Sequence, residues 1–168
     1  SDLHGIQTAP KGKPWLVHVN FAFPHDPRQW PAGMKNRYHA AQMPLPANFA
    51  PKHPFDHGNI DGRDEVLLPV PRVENDLREE LAIYYAMISD LDTQLGRIIA
   101  VLPRPENTVI VFSSDQGLAL GSHGLLGKQN LYDAGMKCPL VFAGPGIPHG
   151  ATDALVYLLD IYPTVLDL

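Results

Sequence analysis

The 168-residue chain predicts an α/β layered fold with a mainly parallel sheet and flanking helices. Three observations carry that expectation: a segment of strict two-residue alternation near the start, a long helical stripe in the middle, and two short β-branched runs after it. Strands separated by a helix are the pattern of a parallel crossover.

Trp15, Val17, Val19 and Phe21 alternate with Leu16, His18 and Asn20, which predicts a strand over Trp15 to Phe21. It ends in Ala22-Phe23-Pro24-His25-Asp26-Pro27, because a proline has no amide hydrogen to give to a ladder. Residues 27–71 are rich in Pro, Gly and His without a sustained apolar period, and predict a long irregular surface excursion. Its His53, Asp56, His57 and Asp61 read as a solvated loop, since their spacing matches no helix or hairpin that would converge them on a metal.

Asp76 and Glu79 have the spacing of a capping box, so a helix is expected to start there. Leu77, Leu81, Tyr84, Ile88, Leu91, Leu95, Ile98 and Leu102 recur at alternating steps of four and three, one apolar stripe of an amphipathic helix over 76–102 that Pro103 terminates. Gly96 within it suggests close approach of a neighbouring element, and Asp90 and Asp92 read as a solvated or locally paired face. After the turn Arg104-Pro105-Glu106-Asn107, the run Thr108 to Phe112 reads as a strand buried on both faces. A second run, Leu140 to Phe142, ends at Gly144-Pro145-Gly146, and Ala154 to Leu168 has helical spacing interrupted near Pro163. No internal repeat is present.

The composition narrows the function. With 13 Lys and Arg against 18 Asp and Glu the net charge is −5, an ordinary globular balance that excludes disorder or a fibre. It lacks the clustered cations a nucleic-acid binder needs to displace counterions. The 14 glycines and 17 prolines predict many loops. The single Cys138 excludes an intrachain disulfide and a Cys-rich zinc site, and at the head of an apolar run it reads as a packing residue. No apolar run approaches the roughly 20 residues of a membrane span. The start, Ser1-Asp2-Leu3-His4-Gly5, has neither a basic nor an apolar leader region. Nothing in the sequence sets an oligomeric state.

In open α/β sheets, ligands gather outside the carboxyl ends of the strands. The first strand delivers His25, and the strand at 108–112 delivers Ser113-Ser114-Asp115-Gln116-Gly117. The glycine-rich Gly121-Ser122-His123-Gly124-Leu125-Leu126-Gly127-Lys128 adds a cation. If the strands are parallel, an imidazole, a carboxylate with an amide oxygen, and an ammonium converge at one rim. Asp115 and Gln116 offer hard oxygen ligands suited to Ca²⁺ or Mg²⁺ rather than zinc. By local sequence alone, a turn with a side-chain hydrogen bond is the commoner reading of them, by about two to one over a metal site.

The order of these motifs resembles the sulfatase family of the alkaline phosphatase superfamily. The resemblance rests on Lys13-Pro14-Trp15 running through Phe23-Pro24-His25, Tyr84-Tyr85-Ala86-Met87-Ile88-Ser89 with Leu91-Asp92, and Ser114-Asp115-Gln116-Gly117. It continues through Gly121-Ser122-His123-Gly124, Gly127-Lys128-Gln129-Asn130-Leu131-Tyr132, Pro139-Leu140-Val141-Phe142, Gly144-Pro145-Gly146-Ile147 and Asp160-Ile161-Tyr162-Pro163-Thr164. It implies that residues 1–168 are part of one sulfatase catalytic domain with a partial alkaline-phosphatase-like fold. It further implies that Asp115 and Gln116 help hold a divalent ion, usually Ca²⁺, with Mg²⁺ in its place as the alternative. Lys128 matches the lysine that contacts the sulfate near its bridging oxygen, and His25 the histidine that faces the leaving group. His123 lies in the matching loop, where a substrate-binding role and a purely structural one are both open.

One departure matters. Sulfatases carry a Cys/Ser-x-Pro-x-Arg motif whose Cys or Ser becomes formylglycine, the nucleophile, and no such motif occurs in this chain. The resemblance therefore implies an internal fragment, inactive alone, of a sulfatase acting on a sulfated small molecule or carbohydrate, and exported (periplasmic or secreted) or lysosomal. The alternatives are a phosphatase, phosphodiesterase or phosphonate hydrolase of the same superfamily, or a non-catalytic binding protein with the same fold. Gln116 disfavours a two-zinc phosphatase, for which an imidazole suits such a position better.

Overall fold

A computed structural model describes residues 12–103 and 105–168. The start Ser1 to Gly5 and the first residue of the predicted turn, Arg104, lie outside the described residues. The architecture is α/β, a long helix beside a small sheet with extensive loops. The regular elements among the described residues are helix α1 (Glu74–Ala100), strand β1 (Ile110–Ser113), the short helix α2 (Asp133–Met136), strand β2 (Leu140–Ala143) and helix α3 (Ile161–Asp167). No helix among the described residues is long and apolar enough to cross a membrane.

Helix α1 forms where the stripe predicts it, but its start is different. The N-cap is Val73, in extended conformation and without a side-chain cap bond, so the expected capping box at Asp76 does not form. Glu74 and Asp76 instead lie in the first turn, where carboxylates complement the positive end of the helix dipole. Arg78 ties that turn to the preceding loop by donating from Nη1 to the Met43 carbonyl.

The stripe of α1 has two fates. Leu77 and Leu81 are buried with Met43, Ala82, Leu120 and Leu126 in the core, and Trp30, Tyr38, Leu45, Phe49 and Leu68 pack around them. Leu77 and Leu126, fully withdrawn from water, contribute about 1.5–3 kcal/mol each. Further along, Ile88, Leu91, Leu95 and Ile98 line a broad cleft instead. Gly96 has open space where a Cβ would project, so the close neighbour inferred from it is absent and the glycine is exposed.

The excursion over 27–71 also needs correction. It is irregular apart from two 3₁₀ turns, Ala40–Gln42 and Arg63–Leu67. It is not merely surface, however: Met43 belongs to the core, and Arg28, His53, Asp64 and Glu65 are buried. Asp56 accepts from the Gly58 amide at 2.7 Å, an ordinary turn contact, whereas His53 is only 3% exposed. The polar composition of the stretch concealed that its backbone is threaded between α1 and the glycine-rich loop.

The sheet is β1 paired with β2, with Ile110 opposite Ala143 and Ser113 opposite Leu140. The pair is antiparallel, which overturns the expectation of a mainly parallel sheet within an otherwise α/β architecture. Residues 114–139 join the strands through the glycine-rich loop and α2, not through a long helix lying across the sheet, and an antiparallel pair needs no such crossover. Trp15 to Phe21 forms no strand among the described residues. Alternation supplies a face, but a strand also needs a ladder partner, and here the segment lines the cleft with Leu16 77% exposed. β1 starts two residues later than the apolar run because the Thr108 amide is committed to the Pro105 carbonyl at 3.4 Å. In α3, Pro163 sits in the first turn, where a missing amide hydrogen breaks no helical bond.

Candidate active site

The cleft is walled by residues 15–21, the second half of α1, β1 with the loop that follows it, and the end of the glycine-rich loop. His25, Asp115, Gln116 and Lys128 all line it. Lys128 Nζ lies 3.0 Å from His25 Nε2, a contact between residues 103 positions apart. Of the convergence inferred from strand ends, the His25–Lys128 contact is present and Asp115 and Gln116 share the broad cleft with it, although the strands meant to produce it are not arranged as expected.

The Asp26 carbonyl fixes the imidazole's tautomer, and the Lys128 contact is consistent with it. Nδ1 lies 2.7 Å from the Asp26 carbonyl oxygen, which can only accept, so Nδ1 carries the hydrogen. An ammonium can only donate, so Nε2 accepts from Lys128. His25 is anchored through its neighbours. Its amide closes a turn on the Ala22 carbonyl at 2.8 Å, and Arg28, three residues on, donates from Nε to Glu80 of α1 at 2.5 Å. Arg28 Nη1 also lies 3.8 Å from Asp26 Oδ1.

Lys128 is held from below by residues that sequence reasoning missed. Its ammonium lies 3.3 Å from Asp64 Oδ2, in a pair whose side chains are 8% and 6% exposed. The adjoining Glu65 accepts from the Leu126 amide at 2.9 Å and the Gly127 amide at 2.8 Å, and pairs with Arg72 at 2.6 Å. Arg72 further donates to the carbonyls of Leu68 and Gly124. Burial pushes the Arg72 guanidinium down and Glu65 opposes that displacement. The available signal was Arg63-Asp64-Glu65, charges within a Pro-rich stretch, but composition does not distinguish a buried carboxylate from a solvated one.

Burial also pushes the Asp64 carboxyl up, but hydrogen bonding with Asp26 and Lys128, the Lys128 charge, and Gln129 together outweigh it, and the net displacement is downward. A carboxyl depressed in the folded state contributes stability that is fully present above its unfolded pKa, about 3.9, and lost as pH falls through the lower folded value. Urea denaturation should therefore show the wild type more stable than Asp64→Asn by a constant margin from about pH 7 to about 5, shrinking below about pH 4. A margin that persists undiminished at about pH 2 would show that the Asp64 charge is not its source.

Asp115 and Gln116 follow β1 directly, with Asp115 exposed and Gln116 half-buried. Ser114 Oγ donates to the Gln116 carbonyl at 3.0 Å, leaving the Gln116 side chain outside that turn. Gly117 is required by the close approach of α2: a Cβ there would stand 2.1 Å from the Ala134 carbonyl oxygen. One carboxylate and one amide oxygen match a hard cation in kind, but Ca²⁺ takes about 6–8 oxygens. Among the described residues no group of three or more His, Cys, Asp or Glu is disposed to hold a metal.

His123 is not brought to the cleft. It adopts φ 55° and its amide donates to the Asn48 carbonyl at 2.9 Å. Its ring stacks on Tyr132 with centroids 4.0 Å apart and accepts from Asn48 Nδ2 at 3.0 Å, while its carbonyl accepts from His53 Nδ1 at 2.8 Å. These contacts are those of a structural loop residue, one of the two roles its setting left open. Gly124 beside it, at φ 78°, sits where a Cβ would press to 2.6 Å on the backbone of Lys52 and His53. The glycines thus let this loop pack directly on the 27–71 segment.

The model of the sulfatase family matches residues 2–168. The chain belongs to the sulfatase family. A sulfatase of Formosa agariphila is 32% identical, over 93% of this chain and 32% of that relative. A choline-sulfatase of Rhizobium meliloti is also 32% identical, over 93% of this chain and 31% of its own length. Among solved structures, the phosphonate monoester hydrolase of Agrobacterium radiobacter superposes with a TM-score of 0.71 at 29% identity, covering 86% of this chain and 31% of that one. The sulfatase-family chain thus spans about a third of the length of the curated relatives it matches. The fold shared with that hydrolase is the alkaline-phosphatase-like architecture.

Proposed function

We propose that this sulfatase-family chain supplies the leaving-group and cation-facing side of a site that hydrolyses sulfate esters. The observation that carries the reading is the 3.0 Å contact between Lys128 Nζ and His25 Nε2 in a cleft that Asp115 and Gln116 also line. A sulfate ester entering there meets an ammonium that neutralises charge on its oxygens. As the bond from sulfur to the bridging oxygen breaks, the electron pair stays on that oxygen. The proton completing the alcohol comes from the Lys128–His25 pair, which holds one between Nζ and Nε2. Asp115 and Gln116 would hold Ca²⁺ or Mg²⁺ together with oxygens from elsewhere. That ion would draw charge from the sulfate.

The nucleophile is not among these residues. A formylglycine would supply it, and with no Cys/Ser-x-Pro-x-Arg motif the 168 residues alone would not turn over. The substrate is a sulfated small molecule or carbohydrate. A second reading, a phosphonate monoester hydrolase, is favoured by the superposition on the Agrobacterium radiobacter enzyme, since both reactions place a tetrahedral oxyanion beside a cation.

The whole protein, produced where formylglycine is made, should be offered nitrophenyl sulfate and a nitrophenyl phosphonate monoester, with and without Ca²⁺. The expected result is Ca²⁺-dependent cleavage with the sulfate ester preferred. Preference for the phosphonate ester establishes the second reading, and cleavage of neither overturns both.

A further inference from the structure

We propose that Asp64 is a positioning residue that holds the Lys128 ammonium in place for its contact with His25. The role rests on the sulfate-ester reading of that pair, but Asp64 itself belongs to a different element, the Arg63–Leu67 turn. A carboxylate that is 5% exposed is expensive to keep charged unless a cation faces it. The cation facing Asp64 is Lys128, at 3.3 Å.

The geometry gives the turn two grips on one loop. Glu65 holds the loop backbone through the Leu126 and Gly127 amides, and Asp64 holds the side chain of the next residue, Lys128. An ammonium has three hydrogens. One is given to His25 Nε2, and Asp64 Oδ2 faces the ammonium at ion-pair distance, so the position of the charge is set before any substrate arrives. A lysine without that counter-ion would have a flexible four-carbon stem and one anchor, and its ammonium would sample positions away from the leaving oxygen.

The test has a readout independent of catalysis. In the whole protein, Lys128 is acylated briefly with acetic anhydride and its labelling is measured by peptide mass spectrometry against the exposed Lys137. In Asp64→Asn the relative labelling of Lys128 should rise about tenfold, the size of one charge-assisted contact. With nitrophenyl sulfate, kcat should fall about 10–100-fold with KM little changed. The same substitution in a Lys128→Ala background should add no further loss, because Asp64 acts through that lysine. If the Asn variant does not fold, Asp64→Glu keeps the charge and displaces it, and should lower kcat while leaving labelling low. Unchanged Lys128 labelling in a folded Asp64→Asn overturns the proposal, as does wild-type kcat in Asp64→Glu. A labelling change in a protein that cleaves neither ester supports the positioning role and removes the sulfate-ester reading instead.

Discussion

Replacing Lys128 with alanine should lower kcat for sulfate-ester cleavage by about 10²–10³, the loss typical of one preorganised donor to a developing oxyanion. The substitution removes the ammonium that faces the cleft, and it leaves His25 Nε2 without its donor and Asp64 buried without its cation. Because the interaction strengthens as charge develops on the leaving oxygen, KM should change far less than kcat. His25→Ala should fall in the same range for an aryl ester, and the double variant should lose little more than either single one, since the two side chains share a proton. Steady-state kinetics on the whole protein measures all three. Wild-type kcat in Lys128→Ala would remove this lysine from the site.

Glu65→Ala should destabilise the fold by about 3–5 kcal/mol, the loss expected when one partner of a buried ion pair is removed. The carboxylate is 2% exposed, and its removal strands the Arg72 guanidinium together with the Leu126 and Gly127 amides. Urea denaturation reads the loss directly. The double variant Glu65→Leu with Arg72→Met should recover much of it, because an apolar pair leaves no unpaired charge behind. The same double variant should still lose catalytic rate, since the amides preceding Lys128 no longer have an acceptor to fix them. Stability and activity are thereby separated at one position.

Much of the candidate site was legible from residue types in order. His25 follows an alternating segment, Asp115 and Gln116 follow a β-branched run, and Lys128 ends a glycine-rich loop, and all four line one cleft. The route to that result was partly wrong. The Trp15 to Phe21 segment is unpaired among the described residues and β1 and β2 are antiparallel, so loop packing rather than a shared parallel edge brings His25 to Lys128. The turn Arg63–Leu67 escaped notice because its charges lie in a Pro-rich stretch that reads as solvent-facing. His123 lies in the glycine-rich loop, but the direction of its ring depends on Asn48 and Tyr132, which lie outside its local motif.

The division between what the chain alone determined and what its folding decided follows the range of the interactions. Helix α1, the two short strands and family membership are written in near neighbours and in the order of motifs, because helical periodicity and β-branching act over a few residues. Strand direction depends on pairs 27 to 33 positions apart, and the burial of Asp64 and Glu65 and the meeting of His25 with Lys128 on contacts between residues 61 to 103 positions apart. A carboxylate has the same letter in water and in a core. Only the packed chain brings the lysine to Asp64, and the amides and guanidinium to Glu65.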